Sequence, residues 1–206
     1  MLRRSRFLSL ALLTCAILAL AQDARDAWQR PAEVMDALEI RAGSRVADVG
    51  AGDGYFTAHL AERVGPQGRV YAEDIDPSAL AQVRGAADKK GMKQVETILG
   101  SVSDPKLPAN SLDAVLIVNA YHEMDEHDAM LAGIRSALKH GGRLGIIDKE
   151  SEPGHDRSWY HSHHRIAKSV VRQEAEHSGF RFVGEHRGFQ RPSDGSKWYF
   201  LIFQNP

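Results

Sequence analysis

Cysteine is nearly missing from this sequence. The one example, Cys15, lies in an apolar stretch near the N-terminus. A chain without a second cysteine has no internal disulfide, and a domain that starts after residue 15 has no thiol chemistry. A surplus of positive charge is missing too. The 26 Lys and Arg residues stand against 27 Asp and Glu, for a formal net charge of -1. A domain that binds nucleic acid through its phosphates needs a basic face, so this balance disfavours a nucleic-acid partner. Internal repeats and low-complexity runs are missing as well. So is any apolar run long enough to span a bilayer: the longest, Phe7 to Leu20, has about 14 residues, against the roughly 20 a spanning helix needs.

That short run has its own meaning. Arg3, Arg4 and Arg6 precede it, and Ala19-Leu20-Ala21 closes it with small residues at the positions a signal peptidase reads. A charged start, an apolar centre and a small-residue end define a secretory signal. Residues 1–21 are therefore expected to be a cleaved signal peptide, with the mature domain at 22–206, exported to the periplasm or secreted. Loss of the three arginines leaves that domain mildly acidic. An uncleaved membrane anchor is the rival, and both place the domain outside the cytoplasm. Leu12-Leu13-Thr14-Cys15 only faintly resembles a lipoprotein signal, since apolar residues continue after the cysteine.

Downstream of the leader, the pattern alternates between two periods. A helix is predicted from Pro31, with Val34, Leu38 and Ile40 on its apolar side and Ala42-Gly43 ending it. Strands are predicted at 45–49, 69–74, 95–99, 112–118 and 143–148. Helices are predicted at 55–64, 77–90, 125–138 and about 162–178, the third stopping at Gly141-Gly142. Two closing strands are expected at 181–186 and 197–203. Alternating strand and helix gives an α/β fold, a Rossmann-like doubly wound sheet of seven strands, mostly parallel with an antiparallel last strand. Such sheets bind ligands beyond the carboxyl ends of their strands.

The first of those ends reads Asp48-Val49-Gly50-Ala51-Gly52-Asp53-Gly54-Tyr55. Glycines there allow a tight turn and a close ligand, and the next helix offers free N–H groups to an anion. The spacing is GxGxG. The dinucleotide fingerprint wants a third glycine at 55, which is Tyr55, and this argues against a nicotinamide cofactor. The second end reads Glu73-Asp74-Ile75-Asp76. A carboxylate there can accept both hydroxyls of a ribose. Asp74 is favoured because it closes the apolar run, and Ile75 can lie on a base. The fourth end reads Asn119-Ala120-Tyr121-His122-Glu123-Met124.

Four stretches together resemble the class I S-adenosylmethionine-dependent methyltransferases. Val46 to Thr57 looks like their first motif, Val70 to Pro77 like the second, and Leu107-Pro108 with Ser111 to Val115, then Leu138 to Leu144, like the approaches to strands four and five. The resemblance covers about residues 28–203. Its nearest flavour is the branch related to quinone-biosynthesis C-methyltransferases, which Trp28-Gln29-Arg30-Pro31 and His122-Glu123 also resemble. It implies S-adenosyl-L-methionine as cofactor, held by Asp48, Gly50, Ala51, Gly52, Gly54, Tyr55, Asp74, Ile75 and Asn119. Many relatives have Gly-Asp after strand three, where this chain has Gly100-Ser101. Ser101, Val102 and Asp104 are the candidates for the adenine end.

The resemblance also implies transfer of a methyl group to a small organic acceptor, whose identity the residues do not name. His122 is the candidate base, since imidazole titrates near neutrality; the other reading is that it hydrogen-bonds a backbone carbonyl and only shapes the pocket. Glu123 and Tyr121 stand beside it. The alternative is an exported module that binds the cofactor or a nucleoside without turnover. His155, His161, His163 and His164 crowd one loop, but they lack the cysteine partners usual for structural zinc, so no metal is expected. Together with Trp159 and Tyr160 they suit the acceptor-side wall of a cleft.

Overall fold

A computed structural model of the chain describes residues 24–186, 188 and 193–206. The leader, including its expected cleavage site, lies outside the described residues. Residues 24–29 are helical. They are followed by α1 (Pro31–Ala37), β1 (Arg45–Val49), α2 (Tyr55–Val64), β2 (Arg69–Asp74), α3 (Pro77–Lys90), β3 (Val95–Leu99), β4 (Leu112–Val118), a 3-10 turn (Tyr121–Glu123), α4 (His127–Ala137), β5 (Leu138–Lys149), α5 (Arg157–Ser162), α6 (Lys168–His177), β6 (Arg181–His186) and β7 (Trp198–Gln204).

The seven strands form one sheet in the order β3-β2-β1-β4-β5-β7-β6. β1 to β5 run parallel to one another, and β7 runs antiparallel between β5 and β6. The order reverses between β1 and β4, so the carboxyl ends of these two strands open the crevice in which doubly wound sheets hold ligands.

The central strand shows why the sequence folds this way. Side chains alternate faces along a strand. On β4, Val115 and Ile117 join one core, with Leu131 and Ile134 of α4 and Val171 of α6. Ala114 and Leu116 join the opposite core, with Val34 of α1 and Phe56 and Leu60 of α2. Both faces of β4 are covered, which is why Leu112 to Val118 reads as a nearly unbroken apolar run. Each fully buried Leu or Ile here contributes roughly 1.5–3 kcal/mol.

The structure departs from the expected elements in three places. α1 ends at Ala37, five residues before Ala42, and Glu39 adopts a left-handed backbone with φ 58°. α4 ends at Ala137, and β5 begins at Leu138, paired with Leu112 across a bulge. Gly141 and Gly142 therefore sit inside a long strand rather than in a turn. Finally, the helix expected from about Ser162 is two helices, α5 and α6. Between them His164 has φ 48°, and the N–H of Ile166 donates to the carbonyl of Lys149.

Candidate active site

The loop after β1 turns on two glycines. Gly50 has φ 70°, and a Cβ there would lie 2.5 Å from Cβ of Ala120, so the first and fourth loops touch across this position. Gly52 has φ 52°, and a Cβ there would meet nothing within 4 Å. The space beside Gly52 is thus open to a ligand. Its N–H is fixed by Oδ2 of Asp74 at 2.8 Å, while Oδ1 of Asp74 accepts from the N–H of Asp76 at 2.9 Å. This carboxylate ties the first loop to the second.

A cavity of about 710 Å³ lies over the first loop. Asp48, Gly50, Ala51, Gly52, Asp53, Tyr55, Val118, Asn119 and Trp198 of β7 line it, with Ala24, Arg25, Trp28 and Gln29 from the N-terminal helical segment. The helical residues 24–29 are bonded down onto the loop. Arg25 contacts Asp53 at 2.6 Å and stands 3.8 Å over the Tyr55 ring. The Tyr55 hydroxyl donates to Asp26 at 2.5 Å. Trp28 and Trp198 meet at 5.2 Å between ring centroids. The sequence offered Trp28 and Gln29 as part of a family resemblance. Trp198, far along the chain in an apolar strand, carried no signal that it would face a pocket.

The cavity floor is acidic. Asp48 is buried, and Oδ2 accepts from the Thr57 hydroxyl at 2.6 Å. Burial pushes its pKa up to about 6; the Thr57 hydrogen bonds pull it down, and Asp53 and Asp74 push it up further. Glu73 does not line the cavity: Asp48 pairs with Ala72, so Glu73 faces the other side of the sheet, where it is 1% exposed and its Oε1 has no hydrogen-bond partner. Burial pushes Glu73 up to about 8, against the N–H of Gly50 and with the help of Asp74, Asp48 and Asp104.

At the other end of the loop cluster, two apolar side chains stand out in solvent. Ile75 is 57% exposed and Val102 is 62% exposed. They come just after the adjacent ends of β2 and β3, where Asp74 pairs with Leu99. Ser101 and Asp104 close a tight turn through Ser101 N–H to the Asp104 carbonyl at 2.9 Å. Oδ1 of Asp104 accepts from the N–H of Lys106 at 2.8 Å.

Tyr121, His122 and Glu123 of the fourth loop do not line the cavity; Asn119 does. Asn119 has φ 55° and ties the loop to β5 through its N–H to the Ile147 carbonyl at 2.8 Å. Tyr121 points into the core, and its hydroxyl donates to Glu174 at 2.8 Å. Burial, then the charge of Glu174, drive its pKa well above 10. His122 is fully buried against Asp148, itself fully buried at the end of β5. Nδ1 lies 2.9 and 3.0 Å from the two carboxylate oxygens, and the backbone N–H of His122 donates to one of them at 3.1 Å. Burial works against the imidazolium, but Asp148 and then Glu123 outweigh it and hold the pKa above 6.5. Asp148 was not among the residues singled out from the sequence. An acid closing a strand is common, and nothing local marks its partner 26 positions away. The histidine-rich loop also resolves differently from its crowding in sequence. His155 and His163 stack on Trp159 at 3.6 and 4.0 Å, while His164 turns toward His122, with ring centroids 5.6 Å apart.

The comparisons with known proteins agree with this geometry. Residues 46–142 match the family model described as a methyltransferase domain. The chain is 32% identical over 124 residues to a protein-L-isoaspartate O-methyltransferase of Ignicoccus hospitalis, a match covering 60% of this chain and 56% of that one. It is 34% identical over 115 residues to the aklanonic acid methyltransferase DauC of a Streptomyces species, covering 55% of this chain and 51% of the other. The matched stretch spans about half the length of these curated relatives. Among solved structures, a SAM-dependent methyltransferase from Aquifex aeolicus superposes with a TM-score of 0.73 at 22% identity, over 85% of this chain and 89% of that one. The fold is that of the S-adenosylmethionine-dependent methyltransferases, and residues 46–142 are similar to a methyltransferase domain.

Proposed function

We propose that the chain transfers a methyl group from S-adenosylmethionine to a small organic acceptor. The observation that carries this reading is the match between the site's charges and surfaces and those of the cofactor. The cofactor bears an ammonium and a sulfonium, and the cavity presents the carboxylic acid of Asp48. It bears a ribose, and Asp74 stands at the end of β2. It bears an adenine, and Ile75 and Val102 leave two apolar side chains exposed where a flat ring would cover them. When bound, the cofactor supplies an electrophilic methyl carbon. The chain's own part is to hold the acceptor in line and to keep water out. The aromatic walls Trp28, Tyr55 and Trp198, with Asn119 and Gln29, suit that task. His122 and Tyr121, both buried and outside the cavity lining, position the fourth loop.

Gly52→Val is expected to weaken S-adenosylhomocysteine binding by at least about 100-fold while the circular dichroism spectrum stays unchanged. A branched side chain is strained at φ 52°, at about 1–2 kcal/mol, and it fills the space the ligand needs. Affinity within a few-fold of wild type would show that the loop does not hold the cofactor.

The charge on Asp48 gives a second expected result. Its carboxylate ionises through about pH 6, and the ligand's ammonium favours the ionised form. Calorimetry should therefore show affinity for S-adenosylmethionine falling about tenfold from pH 7 to pH 5, and the Asp48→Asn variant should bind weakly with no such slope. Equal slopes in both proteins would remove Asp48 from the site. Turnover of a labelled methyl group into pooled small-molecule acceptors tests the activity itself. Binding without turnover under any acceptor pool would favour the non-catalytic binding module.

We also propose that the protein is exported, on the strength of the arginine-led apolar leader and Ala19 and Ala21. Mass spectrometry of the native protein should find Gln22 at its N-terminus; an intact Met1 in the cytosolic fraction would overturn this. No helix among the described residues is long and apolar enough to cross a membrane.

A further inference from the structure

The surroundings of His122 use only one of its two ring nitrogens. Asp148 accepts at Nδ1, which fixes the proton there and leaves Nε2 with the lone pair in the neutral ring. Nε2 is buried and has no hydrogen-bond partner. An unsatisfied buried nitrogen costs about 1–3 kcal/mol, so its retention calls for a physical reason.

The atoms it faces supply one. Oε1 of Glu123 lies 3.5 Å from Nε2 of His122 and 3.4 Å from Nδ1 of His164. Both separations exceed the 2.7–3.2 Å or so of a hydrogen bond with good geometry. All three donor atoms lie within 4.8 Å of one another. Ligands that sit about 2.0–2.2 Å from one tetrahedral cation lie roughly 3.3–3.6 Å apart, the spacing that Glu123 makes with each imidazole. His164 reaches this place from a left-handed backbone with φ 48°, a conformation that costs a non-glycine residue on the order of 1 kcal/mol. A carboxylate behind a ligating imidazole, as Asp148 stands behind His122, is the usual support for a metal-bound histidine.

We propose that His122 Nε2, the Glu123 carboxylate and His164 Nδ1 bind a divalent transition-metal cation of the zinc type, with Asp148 orienting the first ligand. Two imidazoles and one carboxylate suit zinc, cobalt or iron better than magnesium or calcium. Three protein ligands leave a coordination position open. Glu123 and His164 are exposed, so that position is accessible to water or to an oxygen or sulfur of an incoming molecule. His122 stands three residues beyond Asn119, which lines the cavity. Sequence spacing conceals the cluster, because the crowded histidines of the 155–164 loop divide: one joins the fourth loop and two stack on Trp159.

The proposal stands on these side chains alone and is tested apart from methyl transfer. The full chain, stripped with a chelator, is titrated with zinc by calorimetry and with cobalt by visible absorption at about pH 7.5, where neutral imidazoles are free to ligate. One zinc per chain with a micromolar or tighter Kd, and cobalt d–d bands, are expected. Glu123→Gln and His164→Gln change exposed side chains, so the fold should be retained. Each should weaken zinc binding at least tenfold and remove the cobalt bands, with S-adenosylhomocysteine affinity unchanged. His161→Gln, on the same loop but paired at 3.6 Å with Asp125, should bind as wild type does. Absent stoichiometric binding, or unchanged affinity in both Glu123→Gln and His164→Gln, would overturn the site. So would a loss in His161→Gln equal to theirs, which would mark a diffuse surface histidine patch.

Discussion

His122→Leu, measured by urea unfolding in a chelator, is expected to lower the stability by about 3–5 kcal/mol. The side chains of His122 and Asp148 are both 0% exposed and lie 2.9 Å apart. Removal of the imidazole strands a buried carboxylate whose remaining partners are the backbone N–H groups of His122 and Lys149. Leucine is close to histidine in volume, so a cavity contributes little and the loss reports the unpaired charge. A second change, Asp148→Asn, keeps an acceptor oxygen for one of those two N–H groups while removing the charge. The double variant should therefore be more stable than His122→Leu alone by more than about 1 kcal/mol. Should His122→Leu cost under about 1 kcal/mol, or the second change cost further stability, the pair would not be the anchor of the fourth loop.

The second large effect concerns Glu73. An acid whose pKa rises on folding, here from 4.5 to about 8, binds a proton in the folded chain that the unfolded chain has released at neutral pH. The number of bound protons is then greater in the folded state, so stability falls as pH rises. Its contribution is fully present below 4.5 and is lost progressively up to about 8, by an amount approaching about 5 kcal/mol. Asp48 acts in the same direction over a lower window, from 3.8 to about 6. Glu73→Gln keeps the shape and an acceptor for the Gly50 N–H but cannot ionise. Urea midpoints at about pH 5 and about pH 9, without cofactor, should diverge steeply for wild type and much less for the variant. Parallel pH profiles would mean that Glu73 finds a partner in the folded chain.

Most of this architecture is legible along the sequence. The bounds of β1, α2, β2, α3, β3, β4 and β6 coincide with the periodicity because each is specified locally, by alternation or by an i, i+4 stripe between turn residues. The exceptions have partners far away. Gly141 and Gly142 read as a turn, yet the Gly141 N–H donates to the Asn205 carbonyl and the Gly142 carbonyl accepts from the Asn205 N–H. The end of the chain converts them into strand. Ile166 carries helical spacing toward Val170, but Lys149 captures its N–H and the helix breaks. The site divides the same way. The glycine loop and Asp74 announce themselves because backbone geometry and one charge define them. The joining of His122 to Asp148 and His164 depends on three segments meeting in space, and no spacing rule encodes that. The first set lies within the stretch 46–142 that matches the methyltransferase-domain model, while Asp148 and His164 lie beyond it.

The antiparallel β7 lies between β5 and β6, so the sheet cannot assemble in the order in which the chain is made. A ribosome that has released residues as far as His186 has delivered six strands, and the sixth has no neighbour to pair with. β5 presents a bare edge, and β6 waits for residues 198–204, which must thread between them. Closure of the sheet is thus a late event in time as well as in sequence. Until it happens, Phe200 and Phe203, which are fully buried at the end, stay in solvent, and the nascent chain is a candidate for chaperone capture.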